Sequence, residues 1–152
     1  MTVRVRDVLR SGTIAGLAMI PFAAVFQAYG LRVNEYGRKT LALLAGERSV
    51  PLDHLLTFIQ HIVISWFAAV PLLFLLGRTG NRSRVVVGVL YGAAFYVVVN
   101  SISLPLMFGD PTPWSLGLST VYPSLVVHLV FGITVALTAL RRPRVSARPP
   151  RT

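Results

Sequence analysis

The chain contains no cysteine, a single lysine and only five acidic residues in 152 positions. The missing thiols exclude disulfides, thiolate metal sites and cysteine nucleophiles. Asp7, Asp53 and Asp110 border the apolar stretches without interrupting them, so no carboxylate pair is available inside them for acid-base chemistry. Neither G-x-S-x-G nor H-E-x-x-H occurs, which removes the common hydrolase signatures and favours a protein that is not an enzyme. Charged residues make up 13% of the chain against 54% hydrophobic, with a mean hydropathy of +0.66. A soluble domain of this length carries far more charge, so the composition is that of an integral membrane protein.

Charge is absent from residues 11–31, 54–77, 85–109 and 111–140, and each block is long enough for a spanning helix of about 20 residues. The expected fold is all-α: one integral membrane four-helix bundle over residues 1–140, with helices near 11–30, 54–77, 85–107 and 120–140. The 15 basic residues cluster at the ends of these blocks and in the tail. With both termini cytoplasmic, eleven lie inside and four outside, so positive-inside counting favours N-in/C-in. No small-x-small cleavage site follows the first apolar run, which is therefore expected to stay as a helix. The tail, residues 141–152 (RRPRVSARPPRT), has no apolar period and is expected to be a disordered cytoplasmic segment held to anionic lipid headgroups. That accounts for the +10 charge without nucleic acid as a partner. Fourteen arginines to one lysine is the usage of a GC-rich bacterial genome, and the expected compartment is the bacterial cytoplasmic (inner) membrane.

Each block carries small and polar residues on one face. Gly12 and Gly16 form a G-x-x-x-G pair that continues toward Gln27, suited to close helix packing. Pro21 is expected to bend this first helix. The second block begins with a stripe of His54, Thr57, His61 and Ser65, in which His54 at the membrane edge is expected to be solvated. Gly88, Gly92, Tyr96, Asn100 and Ser103 align on the third, which Pro105 is expected to close. Thr120, Ser124, His128, Gly132 and Ala136 align on the fourth. Between the first two blocks, residues 40–45 suit a short helical turn in the interface, with Asp53 as an N-cap candidate. Trp114 suits a headgroup anchor. At 1.5 Å per residue, His61, Asn100 and His128 all fall on the order of 10 Å beneath the outer surface.

Small residues thus occupy the inner half of the faces and polar residues the outer half, as expected for a bundle closed inward with a polar pocket opening outward. Interhelical hydrogen bonds from neutral imidazoles account for the same residues by packing alone, at roughly 0.6–2 kcal/mol each. Where the pocket is functional, His61, His128, Asn100, Ser65, Ser124 and Gln27 are the candidates to bind a small solute or relay protons. Gly12, Gly16, Gly88, Gly92 and Gly132 serve helix packing. Two further readings stay open: a single b-type haem with His61 and His128 as axial ligands, and a copper or zinc ion held with Asn100, serine or water. The glycine faces also suit a homo-oligomer or a partner membrane protein.

The glycine-pair opening, HIVISWFAAVPLLF in the second block, SLPLMFGDPTPW closing the third and PSLVVHLVFG in the fourth together resemble the YagU-like family of small bacterial inner-membrane proteins. The resemblance covers residues 11–140. It implies that His61 with Ser65, Asn100 with Pro105, and His128 occupy the family's recurrent polar positions. Asn100 stands where the family usually has histidine, and Pro123-Ser124 where an acidic residue often precedes the last histidine. The family's activity is loosely tied to acid tolerance.

Overall fold

The computed structural model describes residues 3–33, 36–46, 48–79 and 83–139. The proposed tail contacts of residues 141–152 lie outside the described residues. Helix α1 spans Val5–Ala28, α2 Tyr36–Ala45, α3 Val50–Thr79, α4 Arg84–Phe95, a π-helical stretch Tyr96–Ser103, α5 Leu104–Phe108 and α6 Leu118–Thr138. No strand occurs among the described residues. Among the described residues four units are long and apolar enough to cross a membrane: α1, α3, the continuous rod Arg84–Phe108, and α6.

The helix boundaries differ from the charge-based expectation because a charged side chain does not stop backbone hydrogen bonding. Arg6 and Arg10 sit inside α1, which starts at Val5 and continues through Pro21. Pro51 occupies the first turn of α3, where its missing N–H costs nothing. Asp53 consequently lies in the first turn of α3, its own N–H bonded to the Ser49 carbonyl, and is not the N-cap. Nor does Pro105 end the third apolar helix. The preceding backbone widens to π geometry, Leu104 N–H reaches back to the Val99 carbonyl, and the helix runs on to Phe108. Widening by one residue per turn accommodates a proline that cannot supply an α-type N–H.

Successive long helices alternate in direction. α6 packs along both α1 and α4, and α1 packs along α3. α3 and α4, although joined by a short connection, touch each other only sparsely. The buried apolar core lies toward the end that holds the start of α1 and the end of α6, where Ala15, Ala69, Leu72, Phe131, Val135 and Ala136 meet. Asp7, a surface residue by sequence, is buried at that same end. At the opposite end α2 packs on the start of α3.

Candidate functional site

Glycine sets the distances between helices. A Cβ at Gly12 would meet the Ser65 carbonyl and the Trp66 Cα at 3.0 Å, and one at Gly16 would meet Ser65 Oγ at 2.7 Å. The tight α1–α3 seam lets His61 Nε2 donate to the Gly16 carbonyl at 3.0 Å and Trp66 Nε1 to Thr13 Oγ1 at 2.8 Å. The Ser65 hydroxyl turns back to the His61 carbonyl of its own helix. Between α4 and α6 the approach is backbone on backbone. Added Cβ atoms at Gly88 and Gly132 would collide with each other's carbonyls, and one at Gly92 with the His128 carbonyl.

This second seam presses α4 against the His128 imidazole. Phe95 stacks on it at 5.8 Å between centroids and 28° between planes, and Tyr96 lies at 5.7 Å and 56°. His128 Nδ1 donates to the Ser124 carbonyl at 2.6 Å. A carbonyl only accepts, so these bonds place protons on His61 Nε2 and His128 Nδ1, and in the neutral imidazoles His61 Nδ1 and His128 Nε2 are then acceptors.

Because α3 and α4 are splayed, the space between them is hollow. Tyr91 Oη crosses beneath it to the Ala68 carbonyl at 2.6 Å. Above that strut lies a cavity of about 490 Å³, whose walls include Gln27 from α1, His61 and Ser65 from α3, Asn100 from the π stretch and His128 from α6. Ser124 is fully buried and lines no part of it, contributing through its carbonyl to His128. The floor and sides are apolar: Met19, Ala68, Phe95, Val127 and Phe131.

Asn100 is only 5% exposed, and its Nδ2 has no hydrogen-bond partner. The Tyr96 hydroxyl and Ser101 Oγ on the same π stretch are likewise buried without partners, as are Thr57 Oγ1 and Gln60 Oε1 on the α3 side of the cavity. Buried polar groups are seldom left unpaired, so each of these calls for a partner, which a water, an ion or a ligand can supply.

The mouth is roofed by residues from the α1–α2 loop and α2. Val33, Tyr36, Gly37 and Arg38 line the cavity rim, and His54 stands beside them on α3. Asp53 holds the roof down: its carboxylate accepts from Arg48 at 2.7 Å and pairs with Arg38 at 3.3 Å. Arg48 also donates to the Leu41 carbonyl, tying the body of α2 to the start of α3. At the other end of α2, Tyr36 stacks on Phe108 at 5.5 Å, and Lys39 pairs with Asp110. Burial raises the Tyr36 phenol above its ordinary range, and the nearby Asp110 charge raises it further. Outside this roof lies a second cavity of about 770 Å³, whose described walls include Arg32, Arg38, Lys39 and the Asp110 carboxylate. Gln27, Val33, Tyr36 and Arg38 belong to both cavities, so the two adjoin.

Compared with family models, curated proteins and solved structures, the chain matches none.

The site therefore rests on its own geometry. Of the six site candidates, five line the inner wall, as do His54 and Thr57 of the same stripe, but Tyr36, Arg38, Gln60 and Phe95 were missed. Gln60 was detectable: Thr57, Gln60, His61 and Ile64 also follow helical steps of three, one and three, and all four line the cavity. The roof residues carried no comparable signal, because only the docking of α2 brings them over the bundle. No group of three or more His, Cys, Asp or Glu side chains suited to a metal ion occurs among the described residues. A bis-histidine haem would require His61 either to surrender its bond to Gly16 or to coordinate through Nδ1.

Proposed function

We propose that the protein is a multi-pass protein of the bacterial inner membrane that binds a small solute, or relays a proton, in a pocket between its helices. Both termini face the cytoplasm in this reading, following the arginine distribution, so the α2 roof and the pocket mouth face outward. The observation that carries it is the cavity itself, whose wall brings together His61 from α3, Asn100 from the π stretch and His128 from α6. Packing alone would satisfy these groups against each other. Here they surround a cavity whose volume falls within the usual ligand-pocket range of roughly 300–1,000 Å³. The resemblance to the YagU-like family belongs to the same proposal, since His61, Ser65, Asn100 and His128 share this wall.

The lack of cysteine makes the test direct, because an introduced thiol is the only one in the chain. In right-side-out vesicles, Asn100→Cys should react with a membrane-impermeant methanethiosulfonate, as should an exposed Gly30→Cys control. If Gly30→Cys is labelled while Asn100→Cys and His61→Cys both stay inert, the pocket reading is wrong. The haem alternative is tested on the same preparation: a Soret band lost in His128→Ala would replace solute binding with electron transfer. Association with a second copy or a partner protein is tested by crosslinking in native membranes, where recovery of monomer alone excludes it.

A further inference from the structure

The two adjoining cavities differ in chemistry, and the difference specifies a ligand. The outer one is walled by Arg32, Arg38 and Lys39 with Asp110 as the opposing charge, so among the described residues its cationic side chains outnumber its carboxylates three to one. Arg38 and Lys39 are each paired to a carboxylate at one edge and remain 43% and 51% exposed. Guanidinium and ammonium groups offer several donors each, so such a pairing does not exhaust them. Among the described residues the inner cavity is lined by no carboxylate, and Arg38 at the rim is the only Arg or Lys on its wall. Its floor is aliphatic and aromatic. Ile20, Phe58 and Ile64 on its wall are also 40–46% exposed, so accessible apolar side chains flank the cavity.

We propose that the site takes an amphipathic organic anion, its negative head in the outer cavity on Arg38 and Lys39 and its apolar body lowered past Tyr36 between α3 and α4. This deepens the pocket reading and rests on it. A small hydrophilic anion would leave the aromatic floor of Phe95 and Phe131 unused, and a neutral oil would leave the cationic mouth unused. The shared chemistry is a carboxylate or phosphate on a hydrocarbon chain, whether a free amphiphile or a lipid with an anionic headgroup.

The experiment uses the full chain in phosphatidylcholine nanodiscs, with empty discs as the partition blank. Three probes of one chain length compete for labelled decanoate: decanoate, decan-1-ol and decyltrimethylammonium. Decanoate should bind about tenfold more tightly than decan-1-ol, the value of one charge-assisted hydrogen bond, and the cation should bind weakest. In Arg38→Gln/Lys39→Gln, decanoate should fall to the level of decan-1-ol while decan-1-ol is unchanged. Ala24→Trp, which fills the inner wall, should abolish binding of both. Equal affinities for decanoate and decan-1-ol overturn the anionic head and leave the pocket standing, whereas decanoate binding that survives Ala24→Trp overturns the apolar berth. Complete absence of binding, in protein whose Asn100→Cys variant is labelled normally, overturns this proposal without touching the accessible pocket. Where the proposal holds, displacement of decanoate by phosphatidylglycerol in the disc assigns the head to a lipid, and lack of displacement assigns it to a free amphiphile.

Discussion

His61 on α3 donates from Nε2 to the carbonyl of Gly16 on α1 across 3.0 Å, and the approach exists because residue 16 has no side chain. One of the two imidazoles on the cavity wall is thus aimed by a packing glycine, so seam and site cannot be altered independently. Replacing Gly16 by Ala puts a methyl 2.7 Å from Ser65 Oγ and 3.1 Å from Ser65 Cβ. Overpacking of this size costs about 1–3 kcal/mol. His61→Phe, which loses only the interhelical bond, should cost about 1 kcal/mol. Unfolding in an SDS titration measures both, and Gly16→Ala/Ser65→Ala should recover part of the loss. A strictly additive double variant would contradict the assigned clash.

The α4–α6 seam should be less forgiving. A methyl on Gly132 meets the Gly88 carbonyl, and a backbone atom has no rotamer by which to leave. Gly132→Ala is expected to destabilise by about 3 kcal/mol or more, near the upper limit for overpacking, and to lower the yield of monodisperse protein on gel filtration. Gly30→Ala is the control. It has φ +73° and no neighbour within 4 Å, so only left-handed strain of about 1–2 kcal/mol is expected. Equal effects at the two positions would show that the helices are not in backbone contact.

Pro105 should govern the presentation of Asn100. Pro105→Ala restores an N–H that can return to an α-type bond and remove the reason for the π register over Tyr96–Ser103. Asn100 then rotates along the helix surface away from the cavity. The cysteine label reads this directly: Asn100→Cys should react more slowly in the Pro105→Ala background than alone. Unchanged labelling would place the cause of the π stretch in its contacts with α6.

The roof should respond to alkali. The Tyr36 phenol titrates above its ordinary range because it is buried and faces Asp110, while in the unfolded chain it titrates near 10. Its contribution to stability is present below about pH 10 and is lost as pH rises through the higher folded value, since the unfolded state gives up its proton first. Ultraviolet difference titration against Tyr36→Phe should show a midpoint above 10, shifted downward by Asp110→Asn. An identical midpoint in Asp110→Asn would leave burial as the whole cause.

Residues at steps of three and four made much of the site legible without coordinates. His61, Ser65, Asn100, His128 and Gln27 reach one cavity because each shares a face with small residues, and small residues are where helices meet. Ser124 obeys the same spacing yet lies behind His128, since spacing fixes a face and not a depth within it. His54, expected to be solvated at the edge, is exposed but also lines the cavity rim. Its neighbours there, Tyr36 and Arg38, looked like ordinary loop residues.

The amino-acid sequence by itself determined that four apolar helices form, because a hydrocarbon phase accepts only long uncharged segments that satisfy their own backbone. Helix partners, the π register before Pro105 and the roof were decided by the tertiary structure. Those outcomes depend on contacts between residues far apart in the chain: Gly88 against Gly132, Tyr91 against Ala68, Lys39 against Asp110. No local pattern encodes such pairs. The cavity exists because two strong seams, α1–α3 and α4–α6, draw α3 and α4 to opposite sides of the space between them.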